Sequence, residues 1–190
     1  MATFVIEGGR KLNGDLYPQG AKNEALQVIC ATLLTDQEVV IKNIPEISDV
    51  LRLIDILKEL GVNVDRLAHG EYRFCAAKVD PDIMRSDRYL SLVASLRGSV
   101  MILGPMLARF GVGYIPKPGG DKIGRRRLDT HFIGFQKLGA NFNFNKDEKC
   151  YEISGHQLKG CYMLLDEASV TGTANIIMAA TCAQGTTTIY

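Results

Sequence analysis

Asn23-Glu24-Ala25-Leu26-Gln27-Val28-Ile29-Cys30-Ala31-Thr32-Leu33-Leu34 places Leu26, Ile29, Cys30, Leu33 and Leu34 on one face of a helix. A strand-like run follows, Val39-Val40-Ile41, closed by Asn43-Ile44-Pro45. Moving on by 74 residues meets Val100, Leu103, Gly104, Leu107 and Ala108, then Gly113-Tyr114-Ile115 and Pro116. A second step of 74 meets Ala174, Ile177, Met178, Thr181 and Cys182, then Thr187-Thr188-Ile189. The turn between helix and strand is polar or glycine-bearing each time: Asp36-Gln37, Phe110-Gly111 and Gln184-Gly185. A constant offset held across two elements is the mark of an internal repeat.

The second half of each unit recurs too. Ser48 is placed to cap a helix carrying Leu51, Ile54, Leu57 and Leu60, with Gly61 ending it and Val62-Asn63-Val64 resuming as a strand. In the next unit Asp129 is the expected cap, Leu138-Gly139-Ala140 the stop, and Asn141-Phe142 the strand. The offset has grown to 78 (Gly61 to Gly139), so the second unit carries about four extra residues. Tyr72-Phe74 and Val79 in the first unit, and Tyr151-Ile153 and Met163-Leu165 in the second, are expected to be short strands. The unit is thus βαβαββ or close to it, and the fold class is α/β (α+β). The third unit stops at Tyr190 inside its first strand, and the expectation is a piece of a longer chain.

The extra residues fall in Pro116–His131, whose first half is broken by three glycines and two prolines and which holds five cationic residues. A glycine-rich loop feeding a helix start is suited to an anion, because backbone N–H groups approach closely and the helix end is partially positive. The first-helix starts at Asn23, Arg97 and Thr171 are equivalent by the repeat. Packed about a pseudo-threefold axis, they sum their dipoles towards one face, beside Lys22 and Ser169.

Composition sets the bounds. The 190 residues are 46% hydrophobic with a net charge of +1 and a pI near 7.6. That balance argues against a nucleic-acid or membrane-surface partner and suits a small anionic ligand. No apolar run reaches membrane-spanning length, since the stretch from Ser99 to Ile115 is interrupted by Pro105 and Arg109. Five cysteines without C-x-x-C spacing suggest reduced thiols in a cytoplasmic protein, and three scattered histidines suggest no metal site.

Several stretches resemble signatures of the bacterial enolpyruvyl transferases: Gly20-Ala21-Lys22-Asn23-Glu24-Ala25-Leu26, Arg97-Gly98-Ser99, and Leu103-Gly104-Pro105 with Leu107-Ala108-Arg109-Phe110-Gly111. Pro118-Gly119-Gly120 with Ile123-Gly124, Arg126, Asp129 and His131 resembles the active-site loop of the branch whose acceptor is UDP-N-acetylglucosamine. The resemblance implies two domains, each an inside-out barrel of three βαβαββ units. Residues 22–190 would then be an incomplete first domain, and residues 1–21 a strand region belonging to the second. It also implies enolpyruvyl transfer from phosphoenolpyruvate in peptidoglycan synthesis, with roles in cell-wall biogenesis and cell division. It implies no cofactor, no metal, and dependence on the second domain, without which the piece alone is inactive. A shikimate-phosphate acceptor, or a non-catalytic UDP-sugar-binding regulator, is the alternative.

By the same resemblance Lys22, Asn23, Arg97 and Arg126 bind substrate anions and polar groups. Arg126, Arg127, Leu128, Asp129 and Thr130 line the uridine pocket, and Glu167, Ala168, Ser169 and Val170 stand where the diphosphate binds. Asp121 occupies the catalytic position where a cysteine is usual; that cysteine donates a proton and is alkylated by fosfomycin. A carboxylic acid donates a proton when burial keeps it protonated, while nearby cations act the other way. It forms no stable thioether, so resistance to fosfomycin is expected. Arg127 stands where a proline is usual, Glu167 where a lysine is common, and Thr171-Gly172 where Gly-Ala is usual.

Overall fold

The computed structural model describes residues 3–116 and 127–190. Asp121, Arg125 and Arg126, with the rest of the basic loop, lie outside the described residues. In chain order the elements are α1 (Lys22–Ala31), β1 (Glu38–Ile41), α2 (Ser48–Glu59), β2 (Asn63–Ala68) and β3 (Glu71–Cys75). Then come α3 (Asp87–Ala94), α4 (Leu103–Phe110), β4 (Val112–Pro116), α5 (Asp129–Lys137), β5 (Asn141–Asn145) and β6 (Cys150–Ser154). The last three are β7 (Tyr162–Met163), α6 (Val170–Ala180) and β8 (Thr188–Ile189).

The repeat is visible in strand register. One antiparallel sheet has the order β1-β3-β2, with Glu38 and Asn63 both opposite Cys75. The next has the order β4-β6-β5, with Val112 and Asn141 both opposite Ser154. The outer strands are displaced between copies by 74 and 78 residues, so the extra residues fall between β4 and α5, as the sequence indicates. Among the described residues the sheets stay separate and close no barrel. Helices α1, α4 and α6 supply much of the core, with Ile29, Leu103, Leu107, Ile176 and Ala179 fully buried, as is Leu33 in the 3-10 turn that follows α1. Strands β1 and β2 keep one side open to solvent. This is an α/β fold with its helices packed together and its sheets towards the outside.

Polar contacts bind the units. Arg109 Nη1 at the end of α4 donates to the carbonyls of Leu33, Thr35 and Ala76 at 3.0–3.1 Å, crossing from the second unit into the first. Glu46 accepts from Arg66 Nε and Nη2, the Gly70 N–H and the Tyr72 hydroxyl, which ties the β2–β3 hairpin to the approach of α2. These donors, Arg66 foremost, hold its carboxyl well below the usual carboxylate range.

Several local expectations are corrected. Ile47, not Ser48, is the N-cap of α2; Ser48 lies in the first turn, and no side-chain cap bond is made. Leu128, not Asp129, is the N-cap of α5, because the Asp129 carboxylate is engaged by the charged Arg127 donor. Val79 belongs to no strand, since the chain there turns towards a 3-10 segment at Pro81–Arg85. The first helix of the second unit opens as a 3-10 turn, Arg97–Ile102, where the Ser99 hydroxyl donates to the Val93 and Leu96 carbonyls. Tyr162–Met163 pairs in parallel with β8 across α6, so this strand opens the third unit instead of ending the second. Helix α3, capped by Ser86, has no counterpart in the sequence reading.

Tyr89 of α3 is fully buried, and among the described residues its hydroxyl has no hydrogen-bond partner. Burial pushes its pKa up, with the Cys30 thiol adding to the shift. Tyr89→Phe removes an orphaned donor without changing the ring, so the expected result is a gain of about 1 kcal/mol. Urea unfolding checks it; a loss of stability would reveal a partner for the hydroxyl.

Candidate functional site

Two parallel helices build the site. A Cβ on Gly172 would meet Thr130, and one on Gly134 would meet Ile176, so contacts at a constant separation run along α5 and α6. Their N-termini therefore open on the same side, where partial positive charge accumulates. The Ser169 hydroxyl accepts from the Gly172 N–H at 3.1 Å and caps α6. With a Cβ on Gly172 landing 2.9 Å from that hydroxyl oxygen, glycine is what the tight cap needs.

Charged side chains gather at this end. Arg97 Nη2 donates to the Arg127 carbonyl at 3.5 Å, and Arg127 Nε donates to Asp129 Oδ2 at 2.6 Å. The Asp129 carboxylate beside Arg127 holds the guanidinium more firmly protonated, with Asp166 and Glu167 adding to the effect. Thr130, itself buried, donates from its hydroxyl to Asp166 Oδ1 at 2.7 Å. Behind them the His131 ring is 2% exposed and 2.9 Å from the Asn175 amide. Burial, reinforced by the Arg97 charge, lowers its pKa to about 4.

The structure thus brings Arg97, Arg127, Leu128, Asp129, Thr130, Glu167, Ala168, Ser169 and Val170 to one end of the helix pair. Asp121 and Arg126 fall outside the described residues. Lys22 and Asn23 form the first turn of α1, and a Cβ on Gly98 would meet the Leu26 side chain, which sets α1 beside the Arg97 turn. Lys22 itself pairs with Asp49 at 3.1 Å, both side chains partly exposed. Such a pair contributes little to stability. The entry into α1 is fixed by Gly20, where a Cβ would overlap the Asn43 carbonyl.

Sequence reasoning gave Asp166 and Asn175 no place in the site. Asn175, a lone amide among Ala174, Ile176, Ile177 and Met178, is the signal that was there to find. An open groove of about 380 Å³ beside Lys58, Asn63, Cys75 and Lys78 lies at the far end of α2 from the Lys22–Asp49 pair and is a separate feature. Among the described residues no single helix is long and apolar enough to cross a membrane.

Known proteins resemble this chain in sequence or in fold. The chain is 62% identical over 190 residues to the UDP-N-acetylglucosamine 1-carboxyvinyltransferase of Bacteroides fragilis, and 57% identical to that of Porphyromonas gingivalis. All of the chain is covered in both cases, against 44% of each relative, so it spans less than half their length. Among solved structures, the enolpyruvyl transferase NikO from Streptomyces tendae superposes with a TM-score of 0.75 at 18% identity, covering 96% of this chain and 42% of that one. An EPSP synthase from Acinetobacter baumannii gives 0.68 at 18% identity, covering 93% and 40%. At that identity the two structures establish the fold alone. The family model for EPSP synthase (3-phosphoshikimate 1-carboxyvinyltransferase) matches residues 6–190, and the chain belongs to that family.

Proposed function

We propose that this chain is the leading part of an enzyme that transfers the enolpyruvyl group of phosphoenolpyruvate to UDP-N-acetylglucosamine and releases phosphate. The observation that carries the reading is the 62% identity, sustained over all 190 residues, to an enzyme named for that reaction. The gathering of Arg97 and Arg127 at the α5 and α6 N-termini supports it, since both substrates are anions. Shikimate phosphate as acceptor is the lesser reading, because relatives at 57% and 62% identity are named for the UDP-sugar acceptor.

The reaction adds a proton to the methylene carbon of phosphoenolpyruvate, which makes the neighbouring carbon electrophilic. The sugar hydroxyl adds there and gives up its proton. Loss of a methyl proton and departure of phosphate then restore the double bond in the new ether. Lys22, Arg97 and Arg126 hold phosphate and carboxylate, with arginine favoured for its bidentate donors, and Asn23 meets substrate polar groups. Arg126 through Thr130 line the uridine pocket. Ser169 and Val170 offer the α6 N-terminus to the diphosphate, and Arg127 offsets the charge of Glu167. Asp121 donates the proton. Residues 22–190 form the larger part of one domain, and the exposed residues 3–19 pack elsewhere in the longer chain. The enzyme works in the cytoplasm, in peptidoglycan synthesis and so in cell-wall growth and division.

The test uses the complete protein containing these residues. Inorganic phosphate should appear from phosphoenolpyruvate only when UDP-N-acetylglucosamine is present. Release driven by shikimate 3-phosphate instead, or none with either acceptor, sinks the reading. Asp121 adds a second check. The native enzyme should resist fosfomycin, while Asp121→Cys should be inactivated by it with time, because a thiolate opens the epoxide. Continued resistance of that variant counts against the proton-donor position.

A further inference from the structure

Asn175 lies in the middle of α6, fully buried, and its amide is held on both sides by backbone. Oδ1 accepts from the Gly104 N–H at 2.8 Å, and Nδ2 donates to the Val100 carbonyl at 2.9 Å. One neighbour can only donate and the other can only accept, so the amide has one permitted orientation. Its remaining N–H faces His131 Nδ1 at 2.9 Å. An amide nitrogen has no lone pair to offer, so Nδ1 must be the acceptor. A neutral imidazole whose Nδ1 is bare carries its proton on Nε2.

We propose that Asn175 is a positioning residue that fixes His131 as a neutral Nε2–H hydrogen-bond donor, so that the ring binds an oxygen of an anionic substrate and takes up no second proton during turnover. Nε2 points away from Asn175, and His131 sits in the first turn of α5, next to the turn opened by Arg97. Protonating Nδ1 would set two donors head to head between two buried side chains. Among the described residues Arg97 is the charged group acting on the ring, and it opposes a second positive charge. On α6 the facing group is the uncharged Asn175. The consequence for chemistry is direct. Of the groups at this end of the helices, the histidine looks like the natural acid or base, and its partner removes it from that role while keeping it as a donor.

The decisive measurement is the imidazole nitrogen spectrum of the 190-residue chain labelled with 15N-histidine, with the exposed His69 and His156 as internal comparison. The His131 signals, identified by their loss in His131→Gln, should show a bare Nδ1 and a protonated Nε2 throughout pH 6 to 8. A protonated Nδ1, or a ring that titrates in that range, overturns the proposal. Asn175→Asp, which offers acceptors and no donor, should move the proton to Nδ1; an unchanged tautomer would show that Asn175 does not set it.

The donor role rests on the enolpyruvyl-transfer reading and is tested in the complete enzyme. His131→Phe, which has no donor at the Nε2 position, should raise KM for an anionic substrate tenfold or more, and His131→Gln, which keeps an N–H near that position but cannot relay a proton, should recover most of the loss. Equal KM in the two folded variants, or a fall in kcat with KM unchanged, overturns the donor role. If the unsubstituted enzyme releases no phosphate, the functional reading fails while the tautomer assignment stands on its spectrum.

Discussion

Gly104→Ala should destabilise the fold by about 3–5 kcal/mol, because it overpacks a closed contact and orphans a buried acceptor at once. A Cβ at this position would stand 2.3 Å from the Asn175 carbonyl oxygen and 2.4 Å from its Oδ1. Both atoms belong to the rigid middle of α6, so the strain passes into the separation of α4 and α6. Moving them apart breaks the bond from the Gly104 N–H to Asn175, and with it the support behind His131. Urea unfolding monitored by circular dichroism reads the loss. A change below about 1 kcal/mol would mean that the helices separate freely, contrary to how tightly such cores are packed.

Acid should weaken the protein through His131 before carboxylates contribute much. The folded pKa of about 4 lies below the ordinary value of 6.5, so the unfolded chain binds the extra proton first as pH falls. The associated stability is complete above pH 6.5 and is lost as pH drops towards 4. Integrating over that window gives about 3 kcal/mol. Glu46 also has a depressed carboxyl pKa, and its contribution is lost from about pH 4.5 downward, in the lower part of the range. Unfolding free energies at pH 7, 5.5 and 4.5 test this, and His131→Gln should flatten the slope between them. A slope that survives the substitution assigns the acid sensitivity elsewhere.

The repeat was legible because apolar spacing and strand edges are written locally, and the strand pairing in both sheets follows the offsets read from the chain. Cap positions were less legible. Ser48 and Asp129 have the right chemistry, yet each helix starts one residue earlier than that chemistry suggests. For Asp129 the competitor is Arg127, a charged donor two residues away whose choice no propensity scale records. Helix α3 was missed because Asp87–Ala94 is short and the repeat offers it no template. At the site, resemblance supplied the residues expected to touch substrate. What it left out were the groups behind them: Asp166 is tied to Thr130, and Asn175 to His131, only after α5 and α6 lie side by side.

Arg109 gives the tandem a direction. In the first copy its equivalent is Thr35, 74 residues earlier, whose carbonyl is one of the three that the arginine serves. The first copy thus presents acceptors and the second supplies the cation, so exchanging the two segments would leave both without a match. The copies are alike in form, and this latch makes their order matter. Heating should accordingly melt both halves in a single calorimetric peak, and an isolated leading half should fail to hold its shape.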